Sequence, residues 1–584
     1  MTSFRKQPWQ PAPVPAAEAE GLPAALSGLA RRMVSARMSR YGEPLSAWYR
    51  PTMRANFPDL FAPADMRLAA SIIADAIRQG STIGLFGDYD ADGATSVGVM
   101  GRYLAELGIA FHIHIPDRFT EGYGPNLPAI QALVEKGCDL IVVLDSGSTA
   151  FEVMDQVAAA GIRAVVIDHH ACAPDRKPAA LAFVNPNRPD DRSGLGYLCA
   201  AGLSFLTCCA VQKLLMTDSE WTKALPDLMG IADIAALGTV ADVVPLRGFN
   251  RTLVTVGLKV MEQRPNIGIR ALAQVSRVQD KPCARDFAFG LGPRINAGGR
   301  IGDASLGARL MTCADPEEAR ELAGVLDQLN DDRKRIEQEV REDAMAKAAA
   351  LPASRRLILV SGRYHEGVVG ITAGRVKESL LKPTIVLSET EHGTLKGSGR
   401  SMPGFDLGHA VIAARDAGLL IAGGGHGMAA GLTVSPEKVD ELVAFIEAEI
   451  AESDFARNGA VLAYDMEIGP EELSIQAIED LDVLEPFGEG NPVPRFLISG
   501  LQLDRVDVVK EVHIRLTFRS AAGKMTAMLF SQEGTPFVVA CREAVGQKLD
   551  VVASCSINEW RDRKSLELDI FDARPHQARQ ALAA

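Results

Sequence analysis

Residues 82–93 read TIGLFGDYDADG, a short apolar run followed by acids at alternate positions. The apolar part has the length of a buried strand, and two more such runs occur at Leu140 to Leu144 and at Arg163 to Ile167. Segments with helical periodicity separate these runs, for example Pro128 to Lys136 and Phe151 to Ala160. Apolar strands that alternate with helices predict an α/β domain with a parallel, doubly wound sheet.

Acidic residues and histidines follow each of the three predicted strands. They are Asp88, Asp90 and Asp92 after the first strand, Asp145 after the second, and Asp168, His169 and His170 after the third. The carboxyl ends of the strands in an open parallel sheet form the ligand crevice. We therefore expect the three loops to converge on one site.

A cluster of five carboxylates and two imidazoles repels itself unless positive charge lies within it. A pair of divalent cations is the obvious candidate, and mainly oxygen ligands suit Mn²⁺ or Mg²⁺. Two simpler interpretations stay open. A lone acid after a strand, such as Asp145, is often a turn former or a helix cap. The segment from Asp90 to Gly93 resembles part of a calcium loop, although the downstream Glu of such a loop is missing.

The rest of the chain divides into three further regions. Asp315 to Ala350 is rich in Glu, Arg and Ala and predicts one long, charged connector helix. A second α/β unit begins at Leu357 and continues to about Ile450. From about Ala460 apolar and polar residues alternate with a period of two, which predicts a small antiparallel β domain, with an OB-like barrel as the expected form.

These patterns predict five regions along the chain. They are an N-terminal extension at residues 1–60, the first α/β domain at 61–314, the connector helix at 315–350, the second α/β domain at 351–455, and the β domain at 456–584.

Composition limits the function less than the motifs do. The chain has 584 residues and a formal net charge of −13. Its nine cysteines show no CxxC spacing, and this pattern favours reduced thiols in the cytoplasm. No apolar run reaches the length of a membrane span. The acidic charge by itself favours a small-molecule enzyme, but a channel lined by a few arginines can hold phosphates in an acidic protein. The substrate therefore stays open at the level of composition.

Several motifs resemble those of the DHH phosphoesterase superfamily, and within it those of RecJ-type exonucleases. They are GDYDADGATS at residues 87–96, DHH at 168–170, GTVADVVPL at 238–246, GPRINAGGRIGDAS at 292–305, YHEGVVGITAGR at 364–375, GSGRS at 397–401 and GGGHGMAAGLT at 423–433. The resemblance covers roughly residues 54–575. It implies a DHH domain, a DHHA1-like domain and an OB-like barrel.

The resemblance also implies which residues form the site. The implied metal ligands are Asp90, Asp92, Asp145, His169 and Asp242. Asp88, Asp168 and His170 are implied as catalytic or ligand-orienting groups. The family usually has Asn where this chain has Ser146, so the hydrogen bonds beside Asp145 must differ, and retuned activity is expected rather than loss.

Hydrolysis of a phosphodiester fits two ions held roughly 3.5 to 4 Å apart. We expect a bridging water to attack in line while His170 stabilises or protonates nearby oxygens. The second α/β domain should close the site and grip a phosphate. The glycine-rich loops there contain Ser398, Arg400, Ser401 and His426.

Further basic residues are candidates for binding the substrate. Resemblance to RecJ implies that Arg118 and Arg294 hold the terminal 5′ phosphate, whereas salt bridges with nearby acids are the alternative for these arginines. Asn296 is a further candidate for binding the substrate. In the β domain, Arg515 and Arg519 share one face of a predicted strand. Lys524, Phe530, Trp560, Arg561, Arg563 and Lys564 lie nearby in sequence. Basic strands with aromatic residues suit a single-strand platform, and a solvated face is the alternative.

The resemblance implies a single-stranded-DNA exonuclease that uses Mn²⁺ or Mg²⁺ and releases mononucleotides from the 5′ end in repair and recombination. It also implies a single-strand binding protein and a helicase as partners. A DHH phosphodiesterase for short oligonucleotides or cyclic dinucleotides is the second hypothesis. A family II pyrophosphatase is less favoured, because the GGGHGMAAG and GPRINAGGR segments suit a nucleotide polymer. A DNA-binding scaffold without activity is less favoured, because all the expected acids and His169 are present.

Overall fold

The computed structural model describes residues 3–13, 15, 18–520, 523–530, 532–560 and 563–576, without the side chains of residues 458 and 560. The chain divides into two compact units. The parallel-sheet unit comprises Ser46–Arg333 and Leu484–Pro492. The barrel unit comprises Met1–Leu45, Lys334–Val483 and Val493–Ala584. A short segment inside the predicted 456–584 domain thus belongs to the parallel-sheet unit.

The elements up to the long helix are, in chain order, β1 (Trp9–Pro11), α1 (Gly28–Tyr41), α2 (Leu45–Trp48), α3 (Met53–Asn56), α4 (Met66–Gln79), β2 (Ile83–Phe86), α5 (Ala91–Glu106), β3 (Phe111–His114), α6 (Leu127–Glu135), β4 (Leu140–Leu144), α7 (Phe151–Ala159), β5 (Ala164–Ile167), β6 (Ala182–Val184), α8 (Ala200–Met216), α9 (Ala232–Ala241), α10 (Gly248–Gln263), α11 (Ile267–Val275), α12 (Gly292–Ile301), α13 (Ser305–Thr312) and α14 (Pro316–Ala350). Short helical turns precede α9 at Leu228–Ile231 and α12 at Asp286–Leu291. The predicted connector helix is therefore confirmed as α14.

The remaining elements are β7 (Ile358–Gly362), α15 (Glu366–Leu380), β8 (Thr384–Glu389), β9 (Leu395–Arg400), α16 (Leu407–Asp416), β10 (Ala422–His426), β11 (Ala429–Val434), α17 (Val439–Glu452), α18 (Asp454–Asn458), β12 (Leu462–Tyr464), β13 (Met466–Ile468), α19 (Ile475–Glu479), β14 (Phe496–Val509), β15 (His513–Ser520), β16 (Gly523–Leu529), α20 (Pro536–Glu543), β17 (Lys548–Trp560) and β18 (Arg563–Pro575). Two short turns of 3-10 helix lie at Pro436–Lys438 and Pro470–Glu472, and a third lies at Asp480–Leu484. None of the described helices combines the length and the apolar character that a membrane span requires.

The parallel-sheet unit is built on five parallel strands in the order β3-β2-β4-β5-β6. Successive residues of the central strands pack into different cores: Val142 lies in one hydrophobic cluster and Val143 in another. Helices therefore cover both faces, and the predicted doubly wound sheet is confirmed. The sheet also contains β3 and β6, which the sequence analysis did not identify.

The barrel unit contains two main sheets. The first is mixed, with the strand order β10-β11-β9-β8-β7, and only β7 and β8 run parallel. The second runs β13-β14-β15-β16-β18-β17, and pairing of β14 with β17 closes five strands into a barrel. The expected OB-like barrel is confirmed.

The prediction that the β domain is antiparallel throughout was wrong in two places. Strand β16 runs parallel to β18, and β13 runs parallel to β14. A closed ring with an odd number of strands cannot alternate direction at every step, so five strands require at least one parallel pair. In the N-terminal extension, Trp9–Pro11 forms β1 and pairs in parallel with β12.

Residues 484–492 are fastened to the parallel-sheet unit by Arg251. This buried guanidinium donates to the carbonyl oxygens of Leu484 at 2.9 Å and Glu485 at 2.7 Å, and it lies 4.7 Å from the ring centroid of Trp48. The backbone N–H of Leu246 donates to the Glu489 carbonyl at 2.7 Å. The loop that follows Asp242 is thereby supported by a segment from far along the chain.

Candidate metal centre

The loop after β2 is shaped by Asp90 and Gly93. The Asp90 carboxylate caps α5 and accepts from the N–H groups of Asp92 at 2.9 Å and Gly93 at 3.2 Å. A Cβ atom on Gly93 would lie 2.4 Å from the backbone oxygen of Asp88, so only glycine fits at this close approach. The chain therefore turns tightly between three acids that face the same region.

Asp92 lies in the first turn of α5, and its buried carboxylate faces the N-terminus of α8. Its two carboxylate oxygens accept from the backbone N–H groups of Ala200 at 2.7 Å and Ala201 at 2.9 Å. The N-terminus of a helix carries partial positive charge and free N–H groups, which stabilise a carboxylate. The local fold thus offsets the burial of Asp92 with two charge-assisted hydrogen bonds.

The imidazole of His169 lies among three carboxylates. Its Nε2 atom is 3.3 Å from Asp145 Oδ1, 3.6 Å from Asp242 Oδ2 and 3.7 Å from Asp92 Oδ2. Two ligands that each lie about 2.1 Å from one ion are roughly 3 Å apart. The three distances from His169 Nε2 to the carboxylate oxygens are longer than those of good hydrogen bonds, and they suit atoms that bind the same ion.

Three overlapping groups of ligand atoms meet the distance requirement for a metal site, with all atoms of each group within 4.8 Å of one another. The groups are Asp88, Asp90 and Asp145; Asp92, His169 and Asp242; and Asp145, His169 and His170. Asp145 and His169 each belong to two groups. This overlap is the arrangement that two neighbouring ions would need, with shared ligands between them.

Several buried polar atoms of the proposed ligands lack hydrogen-bond partners in the part of the chain that the structure describes. Among the described residues, four buried atoms at the site have no hydrogen-bond partner: Asp88 Oδ1, Asp145 Oδ1, His169 Nε2 and Asp242 Oδ2. Burial first, and then the neighbouring carboxylates, raise the pKa values of Asp88, Asp145 and Asp242 well above their usual range. Buried polar atoms are nearly always satisfied in folded proteins, so these residues fit bound divalent cations.

Asp168 and His170 form a separate pair beside the cluster. Asp168 Oδ1 lies 2.8 Å from His170 Nδ1, and Asp168 Oδ2 accepts from Ser148 N–H at 2.9 Å. Burial favours the neutral form of both groups, but their mutual hydrogen bond and charge outweigh it. The pKa of Asp168 falls below its usual range and the pKa of His170 rises to about 9. In the metal-free protein, the Asp168 carboxylate thus favours the protonated form of His170.

The structure brings together all eight acids and histidines that the sequence analysis assigned to the site. Seven of them follow β2, β4 and β5, and Asp242 caps the C-terminus of α9. Asp145 also adopts a left-handed backbone conformation, with φ of 62°. The turn-forming interpretation of Asp145 and the ligand interpretation are thus compatible.

The basic and polar residues predicted near the substrate in this unit have defined partners. Arg294 donates to Asp327 Oδ1 from two nitrogens at 2.8 Å, as the salt-bridge alternative anticipated. Asn296 Oδ1 accepts from Ala91 N–H at 2.8 Å and so supports the loop between Asp90 and Asp92. The Arg118 guanidinium lies 4.9 Å from the ring centroid of Tyr89.

Ser398, Arg400 and His426 lie at one end of the mixed sheet in the barrel unit. Arg400 pairs across the strands with Ala429, which pairs with His426, so the two basic side chains are two strands apart. Burial lowers the pKa of Arg400 from its usual value. Gly370 leaves room for the Arg400 side chain, because a Cβ there would lie 3.0 Å from Arg400 Nη2 and 3.4 Å from Ser398 Oγ.

The predicted substrate contact of Ser401 is not supported. Its side chain is fully buried, and its hydroxyl donates to the carbonyl oxygen of Phe405 at 2.7 Å. The hydroxyl therefore closes the loop after β9 and is not available to a phosphate.

Arg515 and Arg519 are exposed on β15 and lie four residues apart on one face. Arg519 makes a two-point ion pair with Asp504, at 2.9 and 2.8 Å. Within the described part of the chain Arg515 has neither a hydrogen bond nor an ion pair through its side chain. Phe530 is also exposed, whereas Arg561 and the side chain of Trp560 lie outside the described residues.

Sequence reasoning missed two residues that shape the site, Tyr123 and Asn185. The Tyr123 hydroxyl lies 3.2 Å from His170 Nε2, and Asn185 Nδ2 donates to Ser148 Oγ at 2.7 Å and to His170 O at 2.9 Å. Asn185 follows β6 in the same way that Asp168 follows β5, so the missed strand concealed this signal. Tyr123 stands between two glycines with positive φ, which was the available sign of a tight functional loop.

Family models agree with this architecture. The DHH family N-terminal domain matches residues 82–239, the DHHA1 domain matches residues 355–452, and the RecJ OB domain matches residues 464–572. The fold and the acidic cluster, together with these matches, define a DHH-type phosphoesterase.

Similarity to individual proteins identifies the family within the DHH-type phosphoesterases. The single-stranded-DNA-specific exonuclease RecJ of Escherichia coli (strain K12) is 32% identical over 589 residues, which cover 96% of this chain and 98% of that protein. The protein of the same name from Bacillus subtilis (strain 168) is 33% identical over 533 residues. That match covers 89% of this chain but 65% of the Bacillus protein, so the chain spans slightly less than two thirds of its length. The chain belongs to the RecJ family of single-stranded-DNA-specific exonucleases.

Solved structures give the same result. The crystal structure of RecJ in complex with Mn²⁺ from Thermus thermophilus matches with a TM-score of 0.78 and 28% identity, covering 98% of this chain and 80% of that one. A structure of the same protein in complex with Mg²⁺ matches with a TM-score of 0.74. The predicted family and fold class are thereby confirmed.

Proposed function

We propose that this protein is a metal-dependent exonuclease that degrades single-stranded DNA in the 5′ to 3′ direction and releases mononucleotides. The observation that carries the proposal is the convergence of Asp92, Asp145, His169 and Asp242 on one buried region. Membership of the RecJ family and the Mn²⁺ and Mg²⁺ complexes of the Thermus relative support the same chemistry. The RecJ OB match favours a polymer substrate over a cyclic dinucleotide.

The proposed ligands are Asp90, Asp92, Asp145, His169 and Asp242, and Asp88 lies close enough to join them. Two divalent ions held by these residues supply Lewis-acid activation of the attacking water and of the scissile phosphate. Asp92 is held by the N-terminus of α8 through two hydrogen bonds, so this ligand is positioned before substrate binds. Such preorganisation lowers the reorganisation needed during the reaction.

His170 has a role of its own in the proposal. Asp168 Oδ1 binds Nδ1 and favours the protonated imidazole, and Nε2 lies beside the Tyr123 hydroxyl. In the protonated form, Nε2–H can donate to a phosphate oxygen that becomes more negative in the transition state. Asp168 thus acts on catalysis through His170, and Asn185 fixes the backbone that carries both histidines.

The decisive experiment follows the release of label from single strands in the presence of Mn²⁺. We expect 5′-labelled strands to lose their label as mononucleotides at once, and 3′-labelled strands to shorten progressively. Duplexes, dinucleotides and cyclic dinucleotides serve as competing substrates. Preferential cleavage of a cyclic dinucleotide, or release from the 3′ end first, would overturn the proposal.

A matched pair of variants ties the activity to the site. We expect Asp92→Asn to lower the rate by about a hundredfold to a thousandfold, because it replaces a charged ligand oxygen by an amide at nearly the same side-chain volume. Thermal unfolding verifies that this variant is folded. Asp175→Asn is the control, since Asp175 is exposed in the same unit. Equal rates in the two variants would exclude the acidic cluster as the catalytic site.

The proposal includes a cellular setting. We infer that the protein works in the cytoplasm, in DNA repair and recombination, beside a single-strand binding protein and a helicase. The family membership and the absence of disulfides among the nine described cysteines support this setting. Copurification with single-strand binding protein from cell extracts tests the partnership. A direct contact should survive nuclease treatment, whereas an association through DNA alone should be lost.

A further inference from the structure

The barrel unit contains a cavity of about 430 Å³ that the nuclease chemistry does not use. Four segments form its walls: residues 5–8 near the N-terminus, residues 353–356 before β7, residues 380–382 at the end of α15, and residues 455–460 around α18. All four segments belong to the barrel unit, whereas the acidic cluster lies in the parallel-sheet unit. The volume falls within the range of sites for small molecules.

The walls of this cavity are strongly basic. Arg5, Lys6, Arg355, Arg356 and Lys382 line it, and none of the described lining residues is acidic. The protein as a whole carries a formal charge of −13, so five cations around one cavity are a local exception. Like charges at close range repel one another, and a multiply charged anion relieves that repulsion.

Three of the five cations are held in place by the fold. The Arg5 guanidinium lies 4.6 Å from the ring centroid of Phe537. Lys382 Nζ donates to the carbonyl oxygens of Arg355 at 2.6 Å and Ala353 at 3.2 Å. Arg355 Nη1 lies 3.3 Å from Glu447 Oε2, and among the described residues it is the only one of the five whose side chain makes an ion pair. The backbone N–H groups of Arg5 and Arg356 donate to Asp572 and Glu447. The site is therefore partly preorganised.

The other two cations are available to a ligand. Lys6 and Arg356 are exposed, and within the described part of the chain their side chains have neither a hydrogen bond nor an ion pair. An arginine can bind a phosphate through two parallel N–H donors, and a lysine adds a mobile point charge. Leu380, Leu381 and Phe455 provide an apolar wall in the same cavity.

We propose that this cavity binds a free nucleoside diphosphate or triphosphate. The phosphates contact Arg356, Lys6 and their basic neighbours, and the base packs on the wall of Leu381 and Phe455. The cavity is larger than inorganic phosphate requires, and the apolar wall gives a base a place that a bare anion would leave empty. The ligand differs from the mononucleotides that the nuclease releases, so the site is a separate binding function.

Isothermal titration of the full chain with ATP tests the proposal. Chelator is included so that the acidic cluster holds no divalent ion during the measurement. We expect one ATP per chain, at least tenfold weaker binding in Arg356→Ala and in Lys6→Ala, and no measurable binding in the double variant. Arg363→Ala is the matched control, because the Arg363 side chain is 92% exposed in the same unit and does not line the cavity.

Inorganic phosphate, dAMP, an end-blocked single strand and a hexa-aspartate peptide are titrated in parallel. The proposal fails if ATP does not bind, if the double variant binds ATP as tightly as the control does, or if only the strand or the peptide depends on Arg356 and Lys6. Thermal unfolding verifies that the variants are folded. Nuclease activity in Mn²⁺ is measured separately, so failure of the nucleotide site and failure of the exonuclease proposal give different results.

Discussion

Asp145 shows how a single residue serves both the backbone and the site. Its φ of 62° ends β4 in a left-handed turn, a conformation that Asp and Asn adopt more readily than other residues with side chains. The same turn directs a fully buried carboxylate towards His169 and the other acids. Folding therefore places negative charge where burial and neighbouring carboxylates both oppose it, and a cation would compensate.

Replacing Asp145 with Asn should stabilise the metal-free protein and abolish its stabilisation by Mn²⁺. Asn tolerates the same backbone and removes one buried charge, so we expect the free energy of unfolding in chelator to rise by about 1–3 kcal/mol. Thermal unfolding in chelator and in Mn²⁺ measures both effects, and Asp175→Asn is the control. If Mn²⁺ stabilised Asp145→Asn as much as the unmodified protein, Asp145 could not be a ligand.

Asp233 predicts a pH dependence that is independent of the metal site. Burial raises the pKa of this carboxyl to about 7, although the N–H of Ile234 and the amide of Asn266 donate to it. In the unfolded chain the pKa is about 3.9, so between these values the folded state binds more protons. Stability should therefore fall as pH rises through this window, by up to about 1.4 kcal/mol per pH unit, and stay level above it.

Asp233→Asn should remove this contribution. We expect the difference in unfolding free energy between the variant and the unmodified protein to grow in favour of the variant from pH 5 to pH 8, most steeply below pH 7, and to level off above pH 8. Urea denaturation at these pH values measures the difference. A difference that does not change with pH would show that Asp233 is ionised at pH 5 in the folded state.

At the scale of elements, the site depends on three helices that meet at Gly238. A Cβ on this residue of α9 would lie 2.2 Å from Thr95 Oγ1 of α5, 2.5 Å from Ala201 Cβ of α8, and 3.0 Å from Asp92 Oδ1. These helices carry Asp92, the N–H groups that bind it, and Asp242. Close packing of the three helices therefore sets the distance between two proposed ligands.

Gly238→Ala should push these helices apart and reduce both stability and activity. Overpacking of this kind costs about 1–3 kcal/mol, and the shift of Asp92 relative to Asp242 should lower the affinity for Mn²⁺. Gly324→Ala on α14 is the matched control, since nothing lies within 4 Å of the added Cβ. That change should be neutral or stabilise the protein by up to about 1 kcal/mol. Unaltered Mn²⁺ affinity in Gly238→Ala would contradict the packing argument.

The strands of the parallel-sheet unit differ in how clearly the sequence predicts them. Strands β2, β4 and β5 were evident because they are continuous apolar runs, and acids directly after them could be placed at one edge of the sheet. Strand β3 was missed because its FHIH sequence interrupts the apolar pattern with histidines, and β6 because it has only three residues. Asp242 follows a helix, so its place at the site depends on tertiary packing and came only from the family resemblance.

The net charge of the protein opposes the binding of DNA that we propose for it. A net charge of −13 repels DNA at long range, so binding depends on local groups whose positive charge is not already neutralised. Arg515 and Arg519 share a face of β15, but Asp504 neutralises only Arg519. The barrel should therefore contact the phosphates of a strand mainly through Arg515.

Arg515→Ala should weaken binding of single-stranded DNA more than Arg519→Ala does. Loss of one phosphate contact on a single strand lowers the slope of log affinity against log salt concentration by about 0.7. We expect this change in slope for Arg515→Ala. For Arg519→Ala we expect a much smaller change in slope, because Arg519 is paired with Asp504 and does not contact a phosphate in this prediction. Fluorescence anisotropy of an end-labelled strand in chelator, measured from low to moderate salt, gives both slopes. Equal slopes in the two variants would mean that the ion pair with Asp504 opens on binding, and that the barrel uses both arginines alike.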